Sequence, residues 1–317
     1  MPWWFRTRRR SGPAASSPSP SPATEQERAS VRVGVRVGEV AFPGRADEDT
    51  RRYLEQQPYL LPKDLKEVNR LDFQHYVLRA ILKNNYLVPL QAPRQILDVG
   101  CGTGQWAYEL AREFPQAGVI GLDLEPARNT TAPPPNYRFV AGDVRDGLPF
   151  EDNRFDFVHQ RFLWAALPLA AWPGVVQELV RVTAPGGWVE LLEASIYGAP
   201  AGPALGRLQA MLGELAALRG LDGSDEVVRS LDRYLREAGL VEVERREIEV
   251  PLGDWGGRIG SLMALDGREA CLAMSGAAAK RFRLTQQEYE ALLEAAFREC
   301  NELKTRGRFV AAYGRKP

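Results

Sequence analysis

The sequence has few of the side chains that metal and disulfide sites require. Its 317 residues include only two histidines, His75 and His159, and three widely spaced cysteines without a CxxC pair. We therefore expect no disulfide framework, no zinc site and no histidine-rich metal site. No apolar run approaches the roughly 20 residues of a transmembrane helix, so we expect no membrane span.

The chain also lacks an excess of either charge, because 41 Lys and Arg residues balance 41 Asp and Glu residues. A balanced chain has no general attraction to nucleic acid or to an anionic membrane. The parts expected to vary with substrate contain no basic cluster with interleaved aromatic residues, so we expect no nucleic-acid partner. We expect a cytoplasmic protein.

The N-terminal 45 residues differ from the rest of the chain. Residues 1–24 contain no acid, and the run "RTRRR" is followed by "SGPAASSPSPSPAT". A segment rich in serine and proline cannot bury enough apolar surface to fold, so we predict a disordered tail over 1–45. This tail could contact a protein partner.

Beyond the tail, strand and helix patterns alternate along the chain. Apolar runs that predict strands, such as "QILDVG" and "GVIGLDL", are separated by amphipathic segments such as "QWAYELAREF". This order predicts parallel crossovers and a sheet covered by helices on both faces. We count seven strands. Thr285 and Glu288 form a predicted capping box at the start of a helix in the block before the last strand.

The stretch "ILDVGCGTGQW", residues 96–106, joins the first strand to a helix through a turn rich in glycine. In open α/β sheets, ligands bind at this carboxyl edge, beside the first strand. Glycine lets the backbone approach a ligand closely, and the helix N-terminus presents unpaired N–H groups. Dinucleotide-binding and S-adenosylmethionine-binding proteins both use such a turn.

Three details favour S-adenosylmethionine. A dinucleotide turn has the spacing GxGxxG, but residue 105 is glutamine, and Asp98 suits a sulfonium or ammonium group better than a pyrophosphate. Asp123, at the end of the second strand, can accept both ribose hydroxyls in either class of cofactor, so it does not discriminate between them. Asp143, after the third strand, can accept from the adenine amino group.

With these residues the chain resembles a class I S-adenosylmethionine-dependent methyltransferase. The stretches "ILDVGCGTGQW", "GLDLEP", "GDVRDGLPFEDNRFDFVHQR" and "TAPGGWVELLE" match successive motifs of that family. "YLLPKDLKEVNRLDFQHYVL", "VPLGDWGGRIG" and "YGRKP" are similar to fungal methyltransferases of the secondary-metabolism-regulator type. This likeness covers about 50–317 and departs from the family pattern at Cys101 and Ala184.

The resemblance implies an α/β, Rossmann-like, seven-stranded sheet with its last strand antiparallel. It has extra N-terminal helices and a helical insertion before the last strand. We predict a methyltransferase domain over 46–317. It would consist of a helical cap over 46–92, a cofactor-binding core over 93–250, an insertion over 251–305 and a last strand over 306–317.

The resemblance also assigns a part of the cofactor to each motif. The methionine half would lie at the turn, the ribose at Asp123, and the adenine at Asp143 with Val144. The full set of predicted cofactor-binding residues is Asp98, Gly100, Cys101, Gly102, Gly104, Asp123, Leu124, Asp143, Val144 and Gln160.

Methyl transfer is an in-line displacement that needs a base only when the acceptor arrives protonated. His159, which we expect at the mouth of the pocket, is one candidate, and its ordinary pKa near 6.5 suits a base. Glu193 is the other, because it lies nearer than Glu190 to the carboxyl end of the fifth strand. A structural role for either residue stays open.

We expect a small organic acceptor, methylated on oxygen, nitrogen or carbon, with S-adenosylhomocysteine as the second product. Two alternatives are a regulatory protein that binds S-adenosylmethionine with little turnover and a methyltransferase that acts on a protein. A nicotinamide-dependent oxidoreductase is disfavoured by Gln105 and by Asp98.

We predict that Asp123→Ala abolishes binding of S-adenosylhomocysteine and leaves the fold intact, because the carboxylate would hold the ribose. Calorimetric titration measures the affinity, and circular dichroism checks the fold. Retained affinity in a folded variant would contradict the proposed pocket.

Overall fold

The computed structural model describes residues 58–62, 65–126 and 132–317. The predicted disordered tail and the start of the predicted cap lie outside these residues. The strands, in chain order, are β1 Gln95–Val99, β2 Gly118–Asp123, β3 Tyr137–Ala141, β4 Phe155–Arg161, β5 Thr183–Ala194, β6 Val241–Pro251 and β7 Arg306–Arg315. The α-helices are α1 Leu65–Leu82, α2 Gln105–Glu113, α3 Trp172–Val182, α4 Pro203–Ala217, α5 Glu226–Glu237, α6 Gly257–Ala273, α7 Ser275–Phe282 and α8 Gln286–Glu302.

The seven strands form one sheet in the order β3-β2-β1-β4-β5-β7-β6. Strands β1 to β5 run parallel, whereas β7 is antiparallel to both β5 and β6. The predicted seven-stranded Rossmann-like sheet with an antiparallel last strand is confirmed. The order reverses beside β1, so the turn after β1 lies at the switch point of the sheet.

Side chains that alternate along the parallel strands supply two apolar layers. Leu97 and Val99 belong to the core that contains Trp172 of α3 and Leu231 of α5. Ile96 lies on the opposite face of the strand and belongs to the core that contains Trp106 of α2. A parallel sheet is stable only when both faces are covered, and this alternation positions α2 on one face and α3 with α5 on the other.

Three helices, α6 to α8, occupy the chain between β6 and β7, where the sequence predicts a helical insertion. They share an apolar core with α4, which includes Leu208, Tyr289 and Leu293. The capping box at the start of α8 is confirmed: Thr285 Oγ1 accepts from the Glu288 N–H, and Glu288 Oε2 accepts from the Thr285 N–H. The domain boundaries given above stay predictions.

A buried ionic cluster joins α1 to α6. Arg70 donates to Asp266 Oδ1 over 2.7 Å and to Glu67 Oε2 over 2.9 Å, and Gln74 donates to Asp266 Oδ2 over 2.9 Å. Burial alone lowers the pKa of Arg70, but the two carboxylates outweigh it and leave that pKa raised. The predicted cap and the predicted insertion are therefore held together by paired charges.

Within the part of the chain that the structure describes, no helix is both long and apolar enough to cross a bilayer.

Replacing Arg70 by methionine would keep the apolar stem but leave Glu67 and Asp266 buried without their cation. Breaking a buried ion pair in this way costs about 3–5 kcal/mol of unfolding free energy. Urea unfolding measures this loss. The control is Arg236→Met, which breaks an ion pair with Asp232 from a side chain that is 54% exposed and should cost less than about 1 kcal/mol. Similar small losses in both variants would contradict a structural role for the cluster.

Candidate functional site

The glycine turn is attached by hydrogen bonds to the end of the neighbouring strand. The N–H groups of Gly100 and Cys101 both donate to Leu122 O, over 2.8 and 3.0 Å. Gly102 donates its N–H to Asp123 Oδ2 over 2.9 Å. Two acceptor atoms at the end of β2, Leu122 O and Asp123 Oδ2, thus set the path of the turn.

All three glycines of the turn need the conformational freedom of that residue. Gly100, Gly102 and Gly104 have φ angles of 69°, 54° and 79°, a region that other residues rarely adopt. A Cβ atom built on Gly100 would lie 2.6 Å from Leu163 Cδ2. Gly104 is the N-cap of α2, and no side chain caps that helix end. The first N–H groups of α2 are therefore suited to a polar ligand group.

Asp123 has a structural task at the position predicted for the ribose. Its Oδ2 accepts from Gly102, and its Oδ1 accepts from the N–H of Leu124 over 2.8 Å. One carboxylate therefore orders the glycine turn and the start of the chain after β2. The contacts of Asp123 and Leu124 with the cofactor stay predictions.

Asp98 and His159 form a buried pair across β1 and β4. His159 Nδ1 lies 2.9 Å from Asp98 Oδ1, and the imidazole stacks on the Trp106 indole with ring centroids 3.8 Å apart. Burial lowers the pKa of His159, although the Asp98 carboxylate opposes this shift, so the ring is neutral near pH 7. The expectation that His159 lies at the mouth of the pocket is wrong, because its side chain is only 1% exposed. Its role as a base stays a prediction.

Asp143 caps a short 3-10 turn, Val144–Asp146, and binds a neighbouring arginine. It accepts from the N–H of Arg145 over 3.0 Å, and the guanidinium of Arg145 donates to both carboxylate oxygens. Hydrogen bonds from Arg145 lower the pKa of Asp143 and keep it ionised. An adenine amino group at the predicted position would share this carboxylate with Arg145. Val144 is buried beside it.

Gln160 carries a fully buried side-chain amide. The residue lies near the carboxyl end of β4, opposite Val99 of β1. Among the residues that the structure describes, neither its Oε1 nor its Nε2 has a hydrogen-bond partner. A buried amide that lacks partners is costly, so this side chain is suited to a ligand that supplies one donor and one acceptor.

The two glutamates of β5 are fully buried and serve opposite faces of the sheet. Glu190 accepts from the N–H of Leu87 over 2.6 Å, and burial raises its pKa to about 7. Glu193 accepts from the N–H groups of Leu163 and Trp164, over 2.9 and 3.2 Å. Burial raises the pKa of Glu193 to about 8 despite these two donors. Its carboxyl group thus accepts hydrogen bonds from the backbone, and a role as a base stays a prediction.

Helix α1 packs against the turn through residues that the sequence analysis did not select. Hydrogen bonds from the side chains of Thr103 and Gln105 reach Asp72, whose pKa burial nevertheless raises. His75 Nδ1 lies 3.2 Å from Arg161 Nη2, and burial, with Arg161, lowers the pKa of His75 to about 4. The spacing of Asp72 and His75 places both on one helix face. That spacing is the signal that could have identified them. No pattern in the sequence points to Leu163.

The chain is similar to known methyltransferases over most of its length. A family model described as a methyltransferase domain matches residues 96–187, which contain the turn, Asp123, Asp143 and Gln160. The chain is 30% identical over 277 residues to methyltransferase pytC of Aspergillus terreus, and the match covers 82% of this chain and 83% of that protein. It is 28% identical to the secondary metabolism regulator laeA of Monascus pilosus, over 68% of this chain and 60% of that protein. The predicted likeness to regulator-type methyltransferases is confirmed.

Among solved structures, one match is phosphoethanolamine N-methyltransferase 2 of Haemonchus contortus in complex with S-adenosyl-L-methionine. The identity is 15% and the TM-score is 0.46, with 78% of this chain and 52% of that chain covered.

The raised pKa of Glu193 predicts a pH dependence of stability. The folded chain holds this proton up to about pH 8, whereas an unfolded glutamate loses it near pH 4.3. Glu193 therefore makes the unfolding free energy fall as the pH rises from about 5 to about 8. In Glu193→Gln this contribution disappears, so the fall over that interval should be smaller by at least about 1 kcal/mol. Urea unfolding at both pH values measures it, and equal slopes for the two proteins would contradict the assignment.

Proposed function

Because the chain belongs to the S-adenosylmethionine-dependent methyltransferases, we propose that it transfers the methyl group to a small organic acceptor. The observation that carries this choice of acceptor is the cluster of Arg70, Glu67 and Asp266. It fixes α6 of the insertion to α1, and α1 contacts the glycine turn. Helices locked together beside the cofactor edge favour an enclosed acceptor site over an open groove for a protein chain.

The residues of the site fit S-adenosylmethionine. The turn with its three glycines and the uncapped N-terminus of α2 would receive the methionine half, and Asp123 would hold the ribose. Gln160 would use both of its unpartnered amide atoms, since the methionine part of the cofactor carries an ammonium donor and a carboxylate acceptor. Asp143, with Val144, would lie beside the adenine.

When bound, the cofactor would supply a methyl group on a positively charged sulfur. An acceptor lone pair would bond to the methyl carbon in line as the carbon–sulfur bond breaks, with S-adenosylhomocysteine as the leaving group. The protein contributes position and the exclusion of water. The Asp98 carboxylate beside the turn adds negative charge close to where a sulfonium would bind, and the neutral His159 holds that carboxylate in place. Because the imidazole is neutral, it orients the Asp98 carboxylate through a hydrogen bond without cancelling its negative charge.

The proposal is tested with the full chain and S-adenosylmethionine labelled in its methyl group. We expect label in a low-molecular-weight compound of a cell extract that separates chromatographically from the labelled cofactor, and none in the protein fraction. Asp123→Ala, which should not bind the cofactor, is the control for transfer by contaminating enzymes.

Label in a protein band would contradict a small organic acceptor and favour a protein methyltransferase. Binding of S-adenosylhomocysteine without transfer to either fraction would favour the regulatory alternative. A cytoplasmic location and a protein partner at the N-terminal tail stay predictions from the sequence.

A further inference from the structure

The chain leaves the sheet after β4 through a strained residue. Phe162 donates its N–H to Leu192 O over 2.9 Å, the last such bond of this ladder, and has a φ of 55°. A left-handed conformation is rare for a bulky aromatic residue and is energetically unfavourable. A strained backbone conformation persists only where contacts with neighbouring residues stabilise it. We refer to residues 162–165 as the post-β4 loop.

Glu193, on the neighbouring strand β5, stabilises this conformation through hydrogen bonds to the backbone. Its Oε1 accepts from the N–H of Leu163, and its Oε2 accepts from the N–H of Trp164. These are the two N–H groups that follow the strained residue, so the Glu193 carboxyl group accepts hydrogen bonds where the backbone ladder ends. This carboxyl group is fully buried, which makes the loss of either hydrogen bond costly.

The post-β4 loop in turn contacts the cofactor turn. The isobutyl group of Leu163 lies against Gly100, since a Cβ atom on that glycine would be 2.6 Å from Leu163 Cδ2. The loop also contacts the segment before α1: the Leu60 N–H donates to Ala165 O over 3.1 Å. A displacement of Leu163 would therefore allow Gly100 to move.

We propose that Glu193 is a positioning residue for the cofactor turn, which it controls by holding Leu163 against Gly100. This inference rests on the proposed function, because it assumes that the turn binds the cofactor. It gives the buried carboxylate a role that needs no contact with the acceptor, and it accounts for the strain at Phe162.

The test compares Glu193→Ala, Leu163→Ala and the double variant in calorimetric titrations with S-adenosylhomocysteine, alongside thermal unfolding. We expect each single variant to weaken binding about tenfold or more, since small misplacements in a site carry penalties of this size. We expect the double variant to bind no more weakly than the weaker single variant, because both changes break one connection.

Glu299→Ala is the matched control. Glu299 accepts from two consecutive backbone N–H groups, those of Ala204 and Leu205, over 3.0 and 2.8 Å, at the start of α4. We expect Glu299→Ala to lower the unfolding temperature, as we also expect for Glu193→Ala, but to leave the affinity for S-adenosylhomocysteine unchanged. Glu193→Asp replaces Glu193→Ala if the latter does not fold, with weakened binding expected again.

Wild-type affinity in the Glu193 variant, or an equal loss of affinity in Glu299→Ala, would overturn the positioning role. Multiplied effects in the double variant would overturn the route through Leu163. Failure of the unchanged chain to bind S-adenosylhomocysteine would instead contradict the proposed function itself, so the two failures are distinguishable.

Discussion

The site depends on a few hydrogen bonds between the turn after β1 and the end of β2. Leu122 O accepts from Gly100 and Cys101, and the Asp123 carboxylate accepts from Gly102. These bonds hold Gly100 and Gly102 in left-handed conformations and bring the predicted ribose carboxylate beside the turn. The same contacts that close a strand–turn–helix unit therefore assemble the cofactor-binding edge of the sheet, and they do so at the switch point of the strand order.

Two further layers support this turn from opposite sides. On one face, Asp98, His159 and Trp106 form a buried row of acid, imidazole and indole under the turn. At the carboxyl edge, Glu193 orders the chain after β4. Helix α1 then covers the turn and is tied to the insertion by Arg70, although Arg70 and Asp266 are far apart in the sequence. The parts that would select the acceptor are thus anchored to the part that would bind the cofactor.

The strands and the turn were predictable because their signals are local. Alternating apolar runs and the glycine spacing of residues 100–104 depend only on neighbours in the chain, and the capping box of α8 depends on Thr285 and Glu288 alone. The partners of the candidate acid and base groups were not predictable. His159 and Asp98 meet because β4 pairs with β1 in one register, and Glu193 meets Leu163 because β5 lies beside β4. Such contacts arise from the tertiary arrangement of strands, which no sequence motif encodes. The sequence predicts a site at the strand ends, whereas the burial of His159 and Glu193 is known only from the structure.

The central claim is that this edge binds the S-adenosyl cofactor through the turn. The most direct measurement is a calorimetric titration of the full chain with S-adenosylhomocysteine, followed by a competition titration with NAD. We predict micromolar binding at one site and no displacement by the dinucleotide. Absence of binding, or displacement of S-adenosylhomocysteine by NAD, would contradict it.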